Sequence, residues 1–433
     1  MSKKTPILII FTLIILIIGG LVFFYFSSNN TKKNITDTIT KANPFGNTSG
    51  NKTFATSTKK IPEENNQFAN TTENLAKLIQ LYKNPISGAV FFVNKNKQNV
   101  LRFTDRAVGN IYEYMPETQT GEVQRLTNTT IPKIQETVWS NLGDNLILRY
   151  LDENTDNIIS FSTKIKNNST SSPQENSTSS PQENYSSPID SFQELTGFFL
   201  SPNLKSLVIN PKGDKIFGLI DKSDKSGTYG FTTKLDGSGK KTIFESSISY
   251  WNISWPKENI IALTTKPNYK DTGLLYFFNT QTYSMDRILG NMVGLSTITN
   301  KEANLVAYSY SENNSFLLDI YDVVNKISEN LKIPTLADKC VWGNKNAKIL
   351  YCAIPKNIYP NNYPDVWYQG LISFKESIWK IDTETGAIEE LYQTVDENIG
   401  LDMFDLKISQ DDEYLAFSDK NDLSLWLLKI TDQ

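Results

Sequence analysis

The chain is 433 residues long, 12% aromatic and 21% charged, with a formal charge of −4 and no histidine. Without an imidazole, Ser-His-Asp and Cys-His nucleophile systems, His-ligated zinc and the usual general base near neutral pH are excluded. The charge is uneven: residues 1–74 hold eight Lys and four acids, which leaves −8 on residues 75–433. An acidic head without a basic stripe argues against nucleic acid as a partner.

In chain order, the first feature is an uncharged run at residues 6–26, PILIIFTLIILIIGGLVFFYF. At about 1.5 Å per residue a helix of this length matches the hydrocarbon core of a bilayer. Phe23, Phe24, Tyr25 and Phe26 continue to its end with no small-x-small site after them, so an uncleaved signal-anchor is expected in place of a removed signal peptide. Lys3 and Lys4 precede the helix and Lys32 and Lys33 follow it, so the positive-inside rule barely discriminates between orientations. The short flank before the helix, and a head suited to an oxidising compartment, favour a single-pass protein with its head on the extracytoplasmic side of the cell membrane. Residues 27–74 are rich in Ser, Thr, Asn and Lys and have no hydrophobic period. They read as a disordered stalk, because they bury too little to offset the entropy of ordering.

From residue 75 a unit recurs: an apolar strand, a short polar turn, then a second apolar strand. The turn is visible in VWSNLGDNLIL (138–148), VINPKGDKIFGL (208–219) and ISWPKENIIAL (253–263). It continues in TITNKEANLVAY (297–308), VWGNKNAKILYC (341–352) and KISQDDEYLAFS (407–418), with a weaker first copy in FFVNKNKQNVLRF (91–103). Equivalent second-strand positions are Leu101, Ile147, Phe217, Ala262, Ala307, Tyr351 and Ala416. A spacing of 44–46 residues, lengthened by insertions at 167–190 and 354–377, is that of a four-stranded propeller blade. The predicted fold is therefore all-β: a propeller of about seven four-stranded antiparallel blades over residues 75–433, preceded by one transmembrane helix. The last unit runs out after its third strand at 423–430, so segment 75–83 is expected to supply the missing outer strand and close the ring.

The turns, best in Val208–Ile216 and Leu406–Leu415, resemble the TolB-type, or WD40-like, propeller repeat of bacteria, which reads apolar-x-W-S-P-D-G-x-x-apolar-A-apolar. The resemblance covers residues 75–433 and implies the fold. It leaves partners open, since the chain has no room for TolB's N-terminal α/β domain. Gly-His and Trp-Asp pairs, Kelch double glycines and sialidase Asp-boxes are missing.

Cys340 and Cys352 lie six residues either side of Asn346, at the centre of a predicted hairpin. They should face each other across it and form a disulfide if the head is outside. The insertion that follows carries Tyr359, Tyr363, Trp367, Tyr368 and Phe374 among Pro360 and Pro364. Rigid aromatics between prolines suit a binding epitope; the competing reading is a loop folded back on its own blade. Tyr359, Tyr363, Trp367 and Tyr368 are the candidate binding residues. Trp139, Trp255 and Trp342, at the ends of innermost strands, read as blade-to-blade packing. Residues 167–190 contain the octamer NSTSSPQE twice and read as a disordered surface loop. Asp152-Glu-Asn154-Thr-Asp156 has the oxygen spacing of a calcium loop but lacks its Gly and its closing Glu, so a plain turn is expected. Gly237-Ser-Gly239-Lys240 fails the phosphate-loop spacing.

No catalytic residue, metal ligand or cofactor is assigned. The expected function is that of a binding or scaffold module at the cell envelope, tethered to the membrane through residues 6–26, with a protein or another envelope component as partner. The alternatives are a structural subunit of an envelope or secretion complex, and a propeller enzyme acting on envelope glycans or peptides.

Overall fold

A computed structural model of the chain describes residues 77–430 apart from 119–120, 153–154, 156, 166–191 and 394–399. The expected anchor, the stalk, the repeated octamer and most of the calcium-like loop lie outside the described residues. Among the described residues no helix is long and apolar enough to cross a membrane.

The strands form seven antiparallel four-stranded sheets, each in simple up-and-down order. Blade 1 spans residues 86–125, blade 2 134–199, blade 3 204–246, blade 4 251–293, blade 5 296–333 and blade 6 340–392. Blade 7 takes its inner three strands from residues 403–429 and its outermost strand from Leu78–Tyr82, which pairs with Leu425–Lys429. The expected closure is therefore the one observed. Within that strand, Leu78 packs against the core between blades 6 and 7. Ile79, Leu81 and Tyr82 pack against the core between blades 7 and 1. Alternation separates Leu78 from Ile79 and Leu81, and a register shift between Gln80 and Tyr82 lets Tyr82 join the side of Leu81, so one five-residue segment serves two interfaces.

Each neighbouring pair of blades encloses its own apolar cluster, seven around the ring. The second strands sit between sheets on both faces, and Asn99–Asp105 and Tyr414–Asp419 are buried along their whole length. This is why they read as continuous apolar runs without alternation.

The repeated turn has a physical basis in the first-to-second-strand hairpin. In blades 2, 3, 5 and 7 a Ser or Asn opens the turn, and its side-chain oxygen accepts the backbone N–H groups that enter the second strand. Asn210 Oδ1 takes those of Asp214 and Lys215. Asn300 Oδ1 takes Asn304 and Leu305, and Ser409 Oγ takes Glu413 and Tyr414. Three residues after the opening residue the backbone turns left-handed, at Gly143, Gly213, Ala303 and Asp412, with φ between 57° and 74°. Glycine at that position in two copies is the residue that meets the requirement at least cost.

Two of the three recurring tryptophans tie blades together through their indole N–H: Trp139 donates to Gly88 O, and Trp342 to Ile298 O. Trp255 instead donates within its own turn, to Glu258 O, and packs edge-on against Phe217 of blade 3.

Candidate functional site

The innermost strands surround a central cavity of about 900 Å³. Its mouth lies on the face that carries the second-to-third-strand loops, and the loop from 354 to 377 in blade 6 builds part of its wall. The loop leaves strand Ile349–Pro355 and returns at Glu376–Asp382, with one helical turn at Asp365–Tyr368 between them.

Side chains and backbone fix this loop across neighbouring blades. Ser311 Oγ donates to Tyr363 O at 2.6 Å, and Asn361 N donates to Asn314 O, both in blade 5. Tyr269 N, in the second-to-third-strand loop of blade 4, donates to Asp365 Oδ2 at 2.6 Å. Beneath, Tyr363, Trp367 and Phe374 join Phe316 and Leu336 in a separate apolar cluster. The Tyr363 ring meets Phe316 edge-on at 4.8 Å, and its hydroxyl donates to Tyr359 O.

The four candidate aromatics therefore divide. Tyr359 is 76% exposed at the loop's outer edge. Tyr363 is buried and lies behind the cavity wall. Trp367 and Tyr368 line the cavity. The Tyr368 hydroxyl donates to Asp338 Oδ2 at 2.5 Å, and Ser296 Oγ donates to the same oxygen. Burial of that hydroxyl and the Asp338 charge beside it push the Tyr368 phenol well above its ordinary range. A Tyr O–H held this way stays neutral and presents its ring edge in one orientation.

A charged layer that sequence reasoning missed supports Trp367. Lys339 is fully buried, and its ammonium reaches Asp402 Oδ1 at 2.6 Å, Glu376 Oε1 at 2.8 Å and Met403 O at 3.0 Å. The same ammonium lies 4.5 Å from the centre of the Trp367 ring. Asp402 accepts from Trp367 Nε1 on both oxygens, at 3.0 and 3.1 Å, and from Phe374 N at 3.2 Å. Glu376 Oε2 accepts from Met403 N at 2.6 Å. Burial, opposed by the Lys339 charge and reinforced by Asp402, raises the Glu376 carboxyl to about 7. One cation among two carboxylates in a dry site is the arrangement that keeps one of them near protonation.

Lys420 lines the cavity mouth above this layer, 5.1 Å from the Trp367 ring centre. Burial lowers its pKa, Asp402 opposes that shift, and Lys339 adds to it. The mouth thus presents the Tyr368 phenol, the Asp338 carboxylate and the Lys420 ammonium, with the Trp367 indole, 3% exposed, buried behind them, a set suited to recognition of a mixed polar and aromatic surface. Among the described residues no group of three or more His, Cys, Asp or Glu side chains could hold a metal.

Cys340 and Cys352 are bonded across the first two strands of blade 6, as the hairpin geometry suggested, with Cα atoms 4.1 Å apart. The bridge sits one residue from Lys339 and three from the start of the 355–376 excursion.

No family model and no curated protein sequence matches the chain. Among solved structures, the chain is similar to TolB from Acinetobacter baumannii (10% identity, TM-score 0.41), the match covering 71% of this chain and 63% of TolB. The β-propeller domain of the Trilobed protease from Pyrococcus furiosus matches at 11% identity and TM-score 0.47, over 80% of this chain and 98% of that one. Oligogalacturonate lyase from Vibrio parahaemolyticus matches at 9% identity and TM-score 0.47, over 82% and 98% of the two chains. The sheet topology by itself makes the described part of the chain a seven-bladed β-propeller.

Proposed function

We propose that the protein is a binding or scaffold module at the cell envelope, tethered through residues 6–26, with its head outside and its partner engaged at the cavity mouth beside the 354–377 loop. The observation that carries this reading is the fixing of Tyr368 at the cavity, by Asp338 through its hydroxyl and by the Trp367 ring that the buried Lys339–Asp402–Glu376 layer holds beside it. Burying a lysine and two carboxylates costs several kcal/mol of desolvation even when they are paired. Here that layer holds the buried Trp367 indole in a single pose, with its centre 5.2 Å from that of the Tyr368 ring, which is 37% exposed at the cavity. An aromatic ordered before binding loses little entropy on complex formation, which raises affinity without added contact area.

The placement of the acids favours binding over cleavage of glycans or peptides. Glu376 and Asp419, the carboxyls whose pKa is raised, do not line the cavity, and the three acids that do are each engaged, Glu136 by Arg149, Asp405 by Lys407 and Asp338 by Tyr368 and Ser296. Hydrolysis by paired carboxylates needs both of them beside the substrate.

The test has two parts on cells that express the protein with a C-terminal tag. Protease added to intact spheroplasts should remove the tag, and the remaining fragment should stay with the membrane. Lysine-directed crosslinking on the same cells, read by mass spectrometry, should return a partner through Lys420 or the loop lysines Lys356 and Lys375. A protected tag would place the head inside, and a head released without its first residues would remove the tether. A fixed stoichiometric set of membrane proteins would favour the structural-subunit reading.

A further inference from the structure

The third-to-fourth-strand turns lie on the face of the ring opposite the 354–377 loop, because each blade is a simple up-and-down sheet. In blades 4, 5 and 6 these turns are built alike. Asn279, Asp322 and Asp382 open them, and one side-chain oxygen of each accepts two backbone N–H groups of its own turn. Four residues later the backbone turns left-handed, at Tyr283, Lys326 and Gly386, with φ between 57° and 73°. Three equivalent turns on consecutive blades therefore share one outer rim. That rim is apolar: Tyr283 is 45% exposed, Met285 38%, Val324 73%, Ile327 58% and Ile388 45%. Single exposed apolar residues are ordinary on a protein surface, but these recur at one end of three neighbouring blades. The corresponding turn of blade 3, Asp236–Gly239, is polar. Lysines stand among the apolar side chains: Lys241 Nζ donates to the Tyr283 hydroxyl at 2.7 Å, and Lys348 Nζ to Glu384 at 2.6 Å. Aliphatic side chains beside a tyrosine with a polar tip and long-stemmed lysines are the composition that suits a boundary between hydrocarbon and lipid headgroups.

The chain enters the ring at the same rim. Leu78–Tyr82 pairs antiparallel with Leu425–Lys429, and its first residue lies at the turn face. Lys429 N donates to Lys77 O there, and Ile430 N donates to Glu413 O in the first-to-second-strand turn of blade 7. Lys77 Nζ reaches Leu391 O in the outer strand of blade 6, the strand that begins with Ile388. The sequence that carries the uncharged apolar run at 6–26 is thus joined to the ring beside the last of the three apolar turns.

We propose that the crescent of Tyr283, Met285, Val324, Ile327 and Ile388 docks on the surface of the lipid bilayer that holds residues 6–26, leaving the 354–377 face turned away from the membrane. The proposal rests on the tether through residues 6–26. A tether makes docking an intramolecular event, so a weak apolar contact is enough to populate the docked state. Residues 75–433 carry a net charge of −8, so apolar insertion, and not attraction to anionic lipid, supplies the contact. Docking is therefore expected on zwitterionic phosphatidylcholine and should persist at high salt, which screens charge but not apolar burial.

The test uses the full-length protein reconstituted into phosphatidylcholine vesicles, with and without spin-labelled phosphatidylcholine. A bimane fluorophore is attached through Val324→Cys or Ile388→Cys at the crescent, or through Tyr359→Cys on the opposite face, with the Cys340–Cys352 bridge kept oxidised. Quenching by the spin-labelled lipid is expected at 324 and 388, unchanged at high salt, and absent at 359. Met285→Asp combined with Ile327→Asp changes two exposed positions and should abolish the quenching at 388 without altering the melting temperature or flotation with the vesicles. Flotation without quenching at 324 and 388, or with equal quenching at 359, would overturn docking and leave the tether standing. A protein that does not float with the vesicles would remove the tether and docking together. Labels at 324 and 388 shielded from aqueous iodide yet unquenched by lipid would give the crescent to a second copy or another protein and overturn the proposal as well.

Discussion

Glu376 lies where water cannot stabilise its charge, and its carboxyl is raised from 4.5 to about 7 as a result. The folded state therefore binds its proton more tightly than the unfolded chain does. The stability this gives is fully present below about pH 4.5 and is lost as pH rises through about 7. The full span is worth about 3 kcal/mol. Glu376→Gln mimics the protonated side chain at every pH, so wild-type stability relative to this variant should fall between pH 4.5 and 7.5. Denaturant unfolding of both proteins across that window checks it, and parallel curves would contradict it. Lys339→Met leaves two buried carboxylates without their cation and should cost about 3–5 kcal/mol by the same measurement. None of this network was legible in the sequence. Lys339, Glu376 and Asp402 come from three separate segments, and each reads as an ordinary surface charge until the strand pairing of blades 6 and 7 is known. The aromatics of the 354–377 loop were legible as a group but not one by one. Their spacing does not reveal that Tyr363 turns down onto Phe316 while Tyr359 remains in solvent.

Blades were readable because one turn, with a hydrogen-bonding side chain at its start and a left-handed residue three positions later, marks most of them. Blade 1 was the weakest copy for a structural reason. Its hairpin closes from Asn94 N to Gln98 O, one residue tighter than the Ser140 N to Asn145 O closure of blade 2, so the alignment slips. The closing strand was legible only through the shortage of a strand at the other end of the chain. Deleting residues 77–83 removes Leu78–Tyr82 and leaves the edge of Leu425–Lys429 unpaired with two interfaces uncovered. The melting temperature of the whole ring should drop, whereas deleting residues 30–70 should leave it almost unchanged; equal melting of both truncations would contradict the closure. The Cys340–Cys352 bridge closes a short loop, with a sequence separation of 12, for which chain entropy suggests about 3 kcal/mol. Reduction should therefore lower global stability modestly. The larger effect is expected nearby, because the bridge adjoins Lys339 and hence the support of Trp367. Hydrogen exchange with and without reductant should show faster exchange at 361–374 than at blades 2 and 3, and a uniform change would contradict this.

At the scale of the whole molecule, the ring has two unlike mouths. On one face the first-to-second-strand turns surround a cavity of about 930 Å³, with Leu142, Pro211, Glu302 and Gln410 at its rim. On the other, the 354–377 loop brings Trp367 and Tyr368 to the central cavity. The face with the longer loops is the one on which the sequence varies its chemistry, while the opposite face repeats the same turn. Assignment of the working face to the 354–377 side is tested most directly by site-specific photo-crosslinking on intact cells. A photoreactive amino acid is placed at Tyr359 or Tyr368 on one face and at Leu142 or Gln410 on the other. Covalent capture of one discrete partner from positions 359 and 368, with none from 142 and 410, is the expected result. Capture from 142 and 410 alone would contradict the assignment.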